Sequence, residues 1–107
     1  MLYKFKTRNA GDVIMTGPHG DHVLELLGRP PAASGIFEAA HLPSLVERLQ
    51  QAVVAEEAER ERLEREAAER GEKPPRGEAV ALRQRVWPLV EMMKRAAARD
   101  EDIVWGL

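Results

Sequence analysis

The 107-residue sequence contains no cysteine. This absence excludes a disulfide framework, a thiolate zinc site and a cysteine nucleophile. Long apolar runs are missing too: residues 1–6 alternate charge with bulk, unlike a signal peptide, and no stretch approaches the length that spans a bilayer. We therefore expect a soluble, cytoplasmic protein that does not bind membranes.

A strong excess of charge of either sign is also missing. The formal net charge is -2 and the isoelectric point is about 5.9. Domains that bind nucleic acid usually carry a clear basic excess or a basic patch. The composition therefore predicts no nucleic-acid partner.

The chain also lacks the common sequence signatures of catalysis. The chain has no dinucleotide fingerprint, no Walker-type lysine and no Gly-x-Ser-x-Gly elbow. Four residues could be considered as metal ligands, but their spacing does not place two of them on one helix face: His19, Asp21, His22 and His41. We therefore predict no enzyme activity, no metal and no cofactor.

Period-two alternation near the N-terminus predicts a strand. Tyr3 and Phe5 point to one face, and residues 12–16 return as the partner strand of an N-terminal hairpin. Residues 35–38 predict a short third strand. The apolar stretch 103–107 predicts a last strand that joins the sheet edge.

Glycine and proline mark the ends of the predicted helices. Residues 17–20, Gly-Pro-His-Gly, predict a turn, after which Asp21 suits the N-cap of a short helix that ends at Gly28. Pro43 suits the first turn of a second helix. The apolar positions of that helix share one face up to about Val54.

The middle of the chain, residues 55–77, predicts an exposed extension of the single domain 1–107. Residues 55–70 are mostly glutamate, arginine and alanine, and they contain acid-before-base pairs four apart: Glu56–Arg60, Glu61–Arg65 and Glu66–Arg70. This part is expected to be a solvated or frayed helix, followed by a Pro/Gly linker at 71–77. A coiled coil is an alternative, although a sustained heptad repeat is absent.

The stretch Leu-Arg-Gln-Arg-Val-Trp-Pro-Leu at 82–89 is the centre of a third helix over 78–99. Its apolar side chains recur at helical spacing: Leu82, Val86, Leu89, Met93 and Ala97. Pro88 predicts a kink or a restart, at a cost of about 3 kcal/mol unless the fold compensates. Trp87 is expected to hold this helix against the core.

Arg83 and Arg85 flank the apolar stripe, and two interpretations of them stay open. In the structural one, Arg83 stacks on Trp87 and both arginines form ion pairs with carboxylates such as Glu25, Glu38 or Asp12. In the other, an arginine clamps a small anion with the help of the turn at 17–21. The ligand-binding residues would then be Arg83, Arg85, Trp87, His19 and Asp21.

These elements together predict an α+β domain. A small, mostly antiparallel sheet, made of the N-terminal hairpin, the third strand and the C-terminal strand, packs against an antiparallel pair of helices. A small sheet has edges that need covering, which favours self-association into homo-oligomers. We expect a non-catalytic protein-interaction or self-association module, with a binding protein for a small anionic ligand as the alternative.

Several short motifs in a fixed order also resemble a known family. They are Met-Leu-Tyr-Lys-Phe-Lys at 1–6, Gly-Asp-Val-Ile-Met at 11–15, Gly17-Pro18 with Gly20-Asp21, Gly35-Ile36, Leu-Arg-Gln-Arg at 82–85 with Trp-Pro-Leu at 87–89, and Val-Trp-Gly at 104–106. Through them the sequence is similar to a bacterial domain of unknown function, DUF1840, over nearly its whole length except the charged middle. The resemblance implies no activity, substrate or catalytic residue.

Overall fold

The computed structural model describes residues 2–74 and 81–106. In this part of the chain, four short strands and three helices follow in order, with one 3-10 turn at Ala39–His41: β1 (Leu2–Phe5), β2 (Val13–Thr16), α1 (Gly17–Leu26), β3 (Gly35–Phe37), α2 (Leu42–Glu69), α3 (Leu82–Ala98) and β4 (Ile103–Trp105). Helices α2 and α3 pack against each other and against the strands. The predicted α+β class is confirmed.

The strands form two antiparallel ladders that are joined at one point. In the N-terminal hairpin Tyr3 lies opposite Met15, and in the second ladder Ile36 of β3 lies opposite Val104 of β4. The N–H of Lys6 donates to the carbonyl of Val104 at 2.8 Å, and the N–H of Val104 donates back at 2.9 Å. The predicted C-terminal strand therefore does join the other strands, with β3 along one side and Lys6 on the other.

The inner faces of both ladders meet in an aromatic cluster. Phe5 is fully buried, and its ring centre lies 5.9 Å from those of Tyr3 and Phe37 and 5.6 Å from that of Trp105. The indole N–H of Trp105 donates to the carbonyl of Ala32 at 3.0 Å, so its polar atom is satisfied inside the fold. One core therefore holds both ladders.

Helix α1 begins five residues earlier than the sequence predicts. Residues 17–20 form its first turn and Thr16 is its N-cap, so Asp21 is not the capping residue. Pro18 explains the early start, because proline is pre-organised for the first helical turn and loses no hydrogen bond there. The predicted end is correct: Gly28 follows the last turn at φ +77°.

Gly20 allows α1 to lie directly against the N-terminal hairpin. It is buried, and a Cβ atom placed on it would lie 2.1 Å from the ring of Tyr3. The buried side of α1 consists of the residues expected from the sequence: Val23, Leu24 and Leu27.

Helices α2 and α3 supply most of the remaining core, and their predicted apolar faces are confirmed. Pro88 does not interrupt α3, although a kink or restart was expected. Both Pro88 and Gln84 are exposed, so the carbonyl that proline leaves without a donor lies on the solvent side. The buried residues of the two helices are Leu42, Leu45, Val46, Leu49 and Val53, with Leu82, Val86, Leu89, Val90, Met92, Met93 and Ala96.

Helix α2 continues without a break through the charged segment. Arg60 bonds to Glu56 as predicted, whereas Arg62 bonds to a glutamate on each side of it. Most of these side chains are exposed, but Ala67 is buried. Residues 75–80, which include part of the predicted linker and the predicted start of the third helix, lie outside the described residues.

The three helices end in the same hydrogen-bonded motif, in which the residue after the C-cap has a positive φ. Glycine fills this position after α1 and α2, but Asp100 fills it after α3, at φ 56°. The N–H of Asp100 donates to Ala97 at 3.2 Å and that of Glu101 to Ala96 at 2.9 Å. None of the helices in the described ranges has both the length and the apolar character needed to cross a bilayer.

Replacing Gly20 by alanine tests the packing of α1 on Tyr3. Alanine favours helix by about 1 kcal/mol, but here its methyl group overlaps the buried ring, so we expect a net loss of about 1–3 kcal/mol of unfolding free energy. Gly11→Ala is the control, since nothing lies within 4 Å of its added Cβ. Urea denaturation measures both variants, and equal stabilities would contradict the close approach.

Substitutions of Asp100 test the left-handed position after α3. Because alanine pays the full steric cost of this conformation, we expect Asp100→Ala to be about 1 kcal/mol less stable than Asp100→Gly. Thermal denaturation of the two variants gives this difference. An alanine variant as stable as the glycine variant would show that α3 does not end in this way.

Candidate interaction surface

The residues that the sequence nominates for ligand binding lie on two different elements. His19 and Asp21 belong to α1, and the Asp21 carboxylate accepts a hydrogen bond from the hydroxyl of Tyr3 on β1. The other three belong to α3, where Arg83 contacts α2. The segment 17–21 is helical and does not form the turn that the anion-clamp interpretation assumes.

The Tyr3 hydroxyl explains how Asp21 is used in the fold. Burial of the phenol, reinforced by the hydrogen bond to Asp21 and by the charge of that carboxylate, raises the pKa of Tyr3 to about 12. The backbone of Ala32 opposes this shift. The phenol therefore stays neutral and remains a donor to Asp21 at physiological pH.

Arg83 links the two long helices. Its Nε donates to Oε1 of Glu57 on α2 at 2.7 Å. This hydrogen bond holds the pKa of Glu57 below its ordinary value and the pKa of Arg83 above its own. An exposed pair of this kind contributes little to stability. It does show that the turn of α3 that contains Arg83 lies beside the turn of α2 that contains Glu57. The carboxylates expected from the sequence were different: Glu25, Glu38 or Asp12.

Arg85 is half-buried and is not a free cation. Together with the ion pair of Arg83, this favours the structural interpretation of the two arginines. Within the ranges 2–74 and 81–106, no group of three histidine or carboxylate side chains lies close enough to hold a metal ion.

Trp87 does not hold α3 against the core, contrary to the prediction. Its side chain is 53% exposed, and the cation over its ring is Lys94, whose Nζ lies 5.9 Å from the ring centre. The expected partner was Arg83. Trp87 follows the buried Val86 by one position, which turns it about 100° around the helix and out of the core-facing stripe.

An open groove, here called the hairpin groove, runs between α2 and α3 beside Trp87. The buried side chains of Leu49, Val53, Val86 and Val90 form its floor, and Gln50, Val54, Arg83 and Trp87 form its rims. Its volume is about 210 Å³. Small-molecule sites usually measure about 300–1,000 Å³, so the groove suits one or two side chains of a partner better than a whole ligand.

The apolar surface continues outward along α2. Val54 is 62% exposed, and a shallow depression beside it is lined by small or polar side chains: Glu47, Gln50, Gln51, Ala55 and Ala58. Small side chains allow a neighbouring helix to approach closely. The groove and this depression therefore form one surface, here called the hairpin surface, on the side of the α2–α3 helical hairpin that faces away from the core.

The two helices that form this surface carry opposite charge. Helix α2 has eight glutamates and four arginines, whereas α3 has four basic residues and one glutamate. Beside the groove, Arg83 and Lys94 lie on the α3 side and Glu47 and Glu57 on the α2 side. Arg83 is paired with Glu57, and Lys94 lies 4.0 Å from Glu91. The surface is thus apolar in the middle, with Glu47 on the α2 border and partly compensated cations on the α3 border.

Two residues of the α3 side were named from the sequence, but as parts of an anion site, and the α2 side was missed. Trp87 and Arg83 were nominated, but Val54 was assigned to the packed face of α2. The signal was present, because Val54 follows Val53 in the same way that Trp87 follows Val86, one position past the core stripe. Two such residues on neighbouring helices mark a shared outer face.

The titration of Tyr3 gives a prediction that absorbance can follow directly. It is the only tyrosine in the chain, so tyrosinate absorbance reports it alone, and we expect a midpoint near pH 12 in the folded protein. The unfolded phenol titrates near pH 10. The raised pKa therefore contributes stability that is fully present below about pH 10 and is lost as the pH rises toward 12. Urea denaturation of Tyr3→Phe, compared with the unmodified chain over this range, isolates the effect; a midpoint near 10 would contradict it.

Comparisons with known proteins place the chain in a family. Neither the curated proteins nor the solved structures include a match to it. The family model described as "Domain of unknown function (DUF1840)" matches residues 1–105, which include both ladders and all three helices. The chain therefore belongs to the DUF1840 family.

Proposed function

We propose that this protein is a non-catalytic interaction module that binds an amphipathic helix along the outer face of the α2–α3 hairpin. The observation that carries the proposal is the exposure of Trp87 beside a groove with an apolar floor. Tryptophan and arginine dominate the binding energy of protein interfaces, especially beside pockets that a partner can fill. Here Trp87 and Arg83 share one rim.

The shape and charge of the surface favour a helical partner. The groove lies between two antiparallel helices, and a third helix that enters it can pack its own apolar stripe against the floor. On one flank of that helix, Lys94, whose ion pair with Glu91 is long at 4.0 Å, attracts acidic side chains, and Glu47 attracts basic ones on the other flank. Complementary charge of this kind sets the direction of the bound helix and speeds association.

Other exposed apolar side chains form a weaker candidate surface. Leu2, Ile14 and Ile36 lie on the outer face of the strands, but Lys4 lies directly opposite Ile14 in the hairpin. Leu2 likewise lies opposite the polar Thr16, and apolar side chains interspersed with polar ones are the pattern of an ordinary solvated sheet face. The hairpin surface, in contrast, is continuous.

The anion-binding alternative has less support. Arg83 already binds Glu57, and Asp21 accepts a hydrogen bond from Tyr3, so the groups that would bind an anion have partners in the fold.

The proposed interaction module acts in the cytoplasm and binds neither nucleic acid nor membrane. The near-neutral net charge and the lack of long apolar runs support this part of the proposal.

Site-specific photo-crosslinking tests the proposed surface. Benzoylphenylalanine at position 54 should give a discrete covalent adduct in cells that contain the protein, and Trp87→Asp in the same chain should abolish it. Position 14 is the matched control, because Ile14 is 57% exposed and Val54 is 62% exposed. Mass spectrometry of the adduct should place the crosslinked peptide in a helix of its partner. The absence of an adduct at 54, or an equal adduct at 14, would contradict the proposal.

A further inference from the structure

We infer that the helix bound by the hairpin surface is α2 of a second copy of this chain, so that two hairpins form an antiparallel four-helix bundle. The inference rests on the proposed function and names its partner. It follows from the surface itself, which carries both halves of a contact: a projecting tryptophan on α3 and a strip of small side chains on α2.

The two halves match under a two-fold rotation. When the axis runs parallel to the helices, α3 of each copy lies over α2 of the other, and neighbouring helices are antiparallel throughout, as in up-down bundles. Trp87 of each copy then meets the exposed strip of Val54, Ala55 and Ala58 on the other. The contact occurs twice and is the same each time.

The ion pair within one hairpin gives the register of this contact. Arg83 is level with Glu57, and the groove lining places Trp87 level with Val53 and Val54. Two helical turns further along α3 lies Lys94, and two turns back along α2 lies Glu47. A two-fold axis parallel to the helices preserves these levels, so Lys94 of each copy faces Glu47 of the other.

Charge selects this axis over the other possible one. A two-fold axis perpendicular to the helices would stack α3 on α3 and α2 on α2. The first pair would bring basic residues against basic ones, and the second would bring the glutamate-rich helix against itself. Like charges across an interface disfavour association. The parallel axis instead pairs each basic border with an acidic one.

The surface is at the lower size limit for a specific dimer. The 17 residues of α3 span about 25 Å, and two helices packed about 10 Å apart present a face about 20 Å wide. The footprint is therefore about 500 Å² for each copy, which brings the total near the roughly 1,000 Å² required of a specific interface. We expect a dimer with micromolar affinity that weakens at high salt, where exposed charges are screened.

Sedimentation velocity of the purified full chain, from low micromolar to several hundred micromolar, measures this affinity. Lys94→Glu and Glu47→Lys should each weaken the dimer at least about tenfold, because each places like charges together twice in the dimer. The double variant Lys94→Glu with Glu47→Lys should restore it. Arg95→Glu is the matched control, because it makes the same charge change at an exposed position of the same helix, about 100° around from Lys94.

The outcomes separate the dimer from the proposed function. A chain that stays monomeric at all concentrations, while position 54 crosslinks to another protein, overturns self-association and leaves the interaction module standing. A dimer that both single variants leave intact, or that the double variant fails to restore, overturns the proposed pairing. Circular dichroism of every variant verifies that the fold is kept, so weakening is read as loss of contact.

Discussion

The ring of Phe5 is the contact on which the rest of this fold depends. Each of the two ladders is too short to be stable alone, and they are joined by a single pair of backbone hydrogen bonds between Lys6 and Val104. Phe5 lies next to this junction and packs against Phe37 and Trp105 of the second ladder. Its burial therefore makes one platform out of two marginal ladders, and the long helices need such a platform to bury their apolar faces.

The limited width of that platform explains why the hairpin surface exists. Helix α3 buries the stripe that contains Leu89 and Met93, and α2 buries the stripe that contains Leu49. On the far side of the two helices, the side chains one position past each stripe, Trp87 and Val54, stay more than half exposed. The groove between them is thus a direct consequence of packing two helices side by side on a small sheet.

Much of this fold follows from sequence periodicity. The alternation of Tyr3 and Phe5 and the apolar stripes of α2 and α3 predict the elements and the core correctly, because burial of one face dominates in each. The start of α1 was missed because a proline in the first turn, together with tight packing of Gly20 on Tyr3, outweighs the turn propensity of Gly-Pro-His-Gly. Which strand is central depends on pairing between distant residues, and local pattern carries no information about that.

The exposure of Trp87 was mispredicted although its position, one past the core stripe, is visible in the sequence, and the cause is energetic. Tryptophan is usually assigned to the core because it buries about 150–250 Å², but Trp87 leaves half of its side chain in water. At about 25 cal/mol per Å², the uncovered half represents about 2–3 kcal/mol of burial that the single chain does not use. An isolated exposed apolar residue is ordinary, but Trp87 adjoins Val54 and an apolar groove floor. The stabilisation becomes available only when another helix covers all three together, which is why the exposed tryptophan argues for a partner and not for a defect in packing.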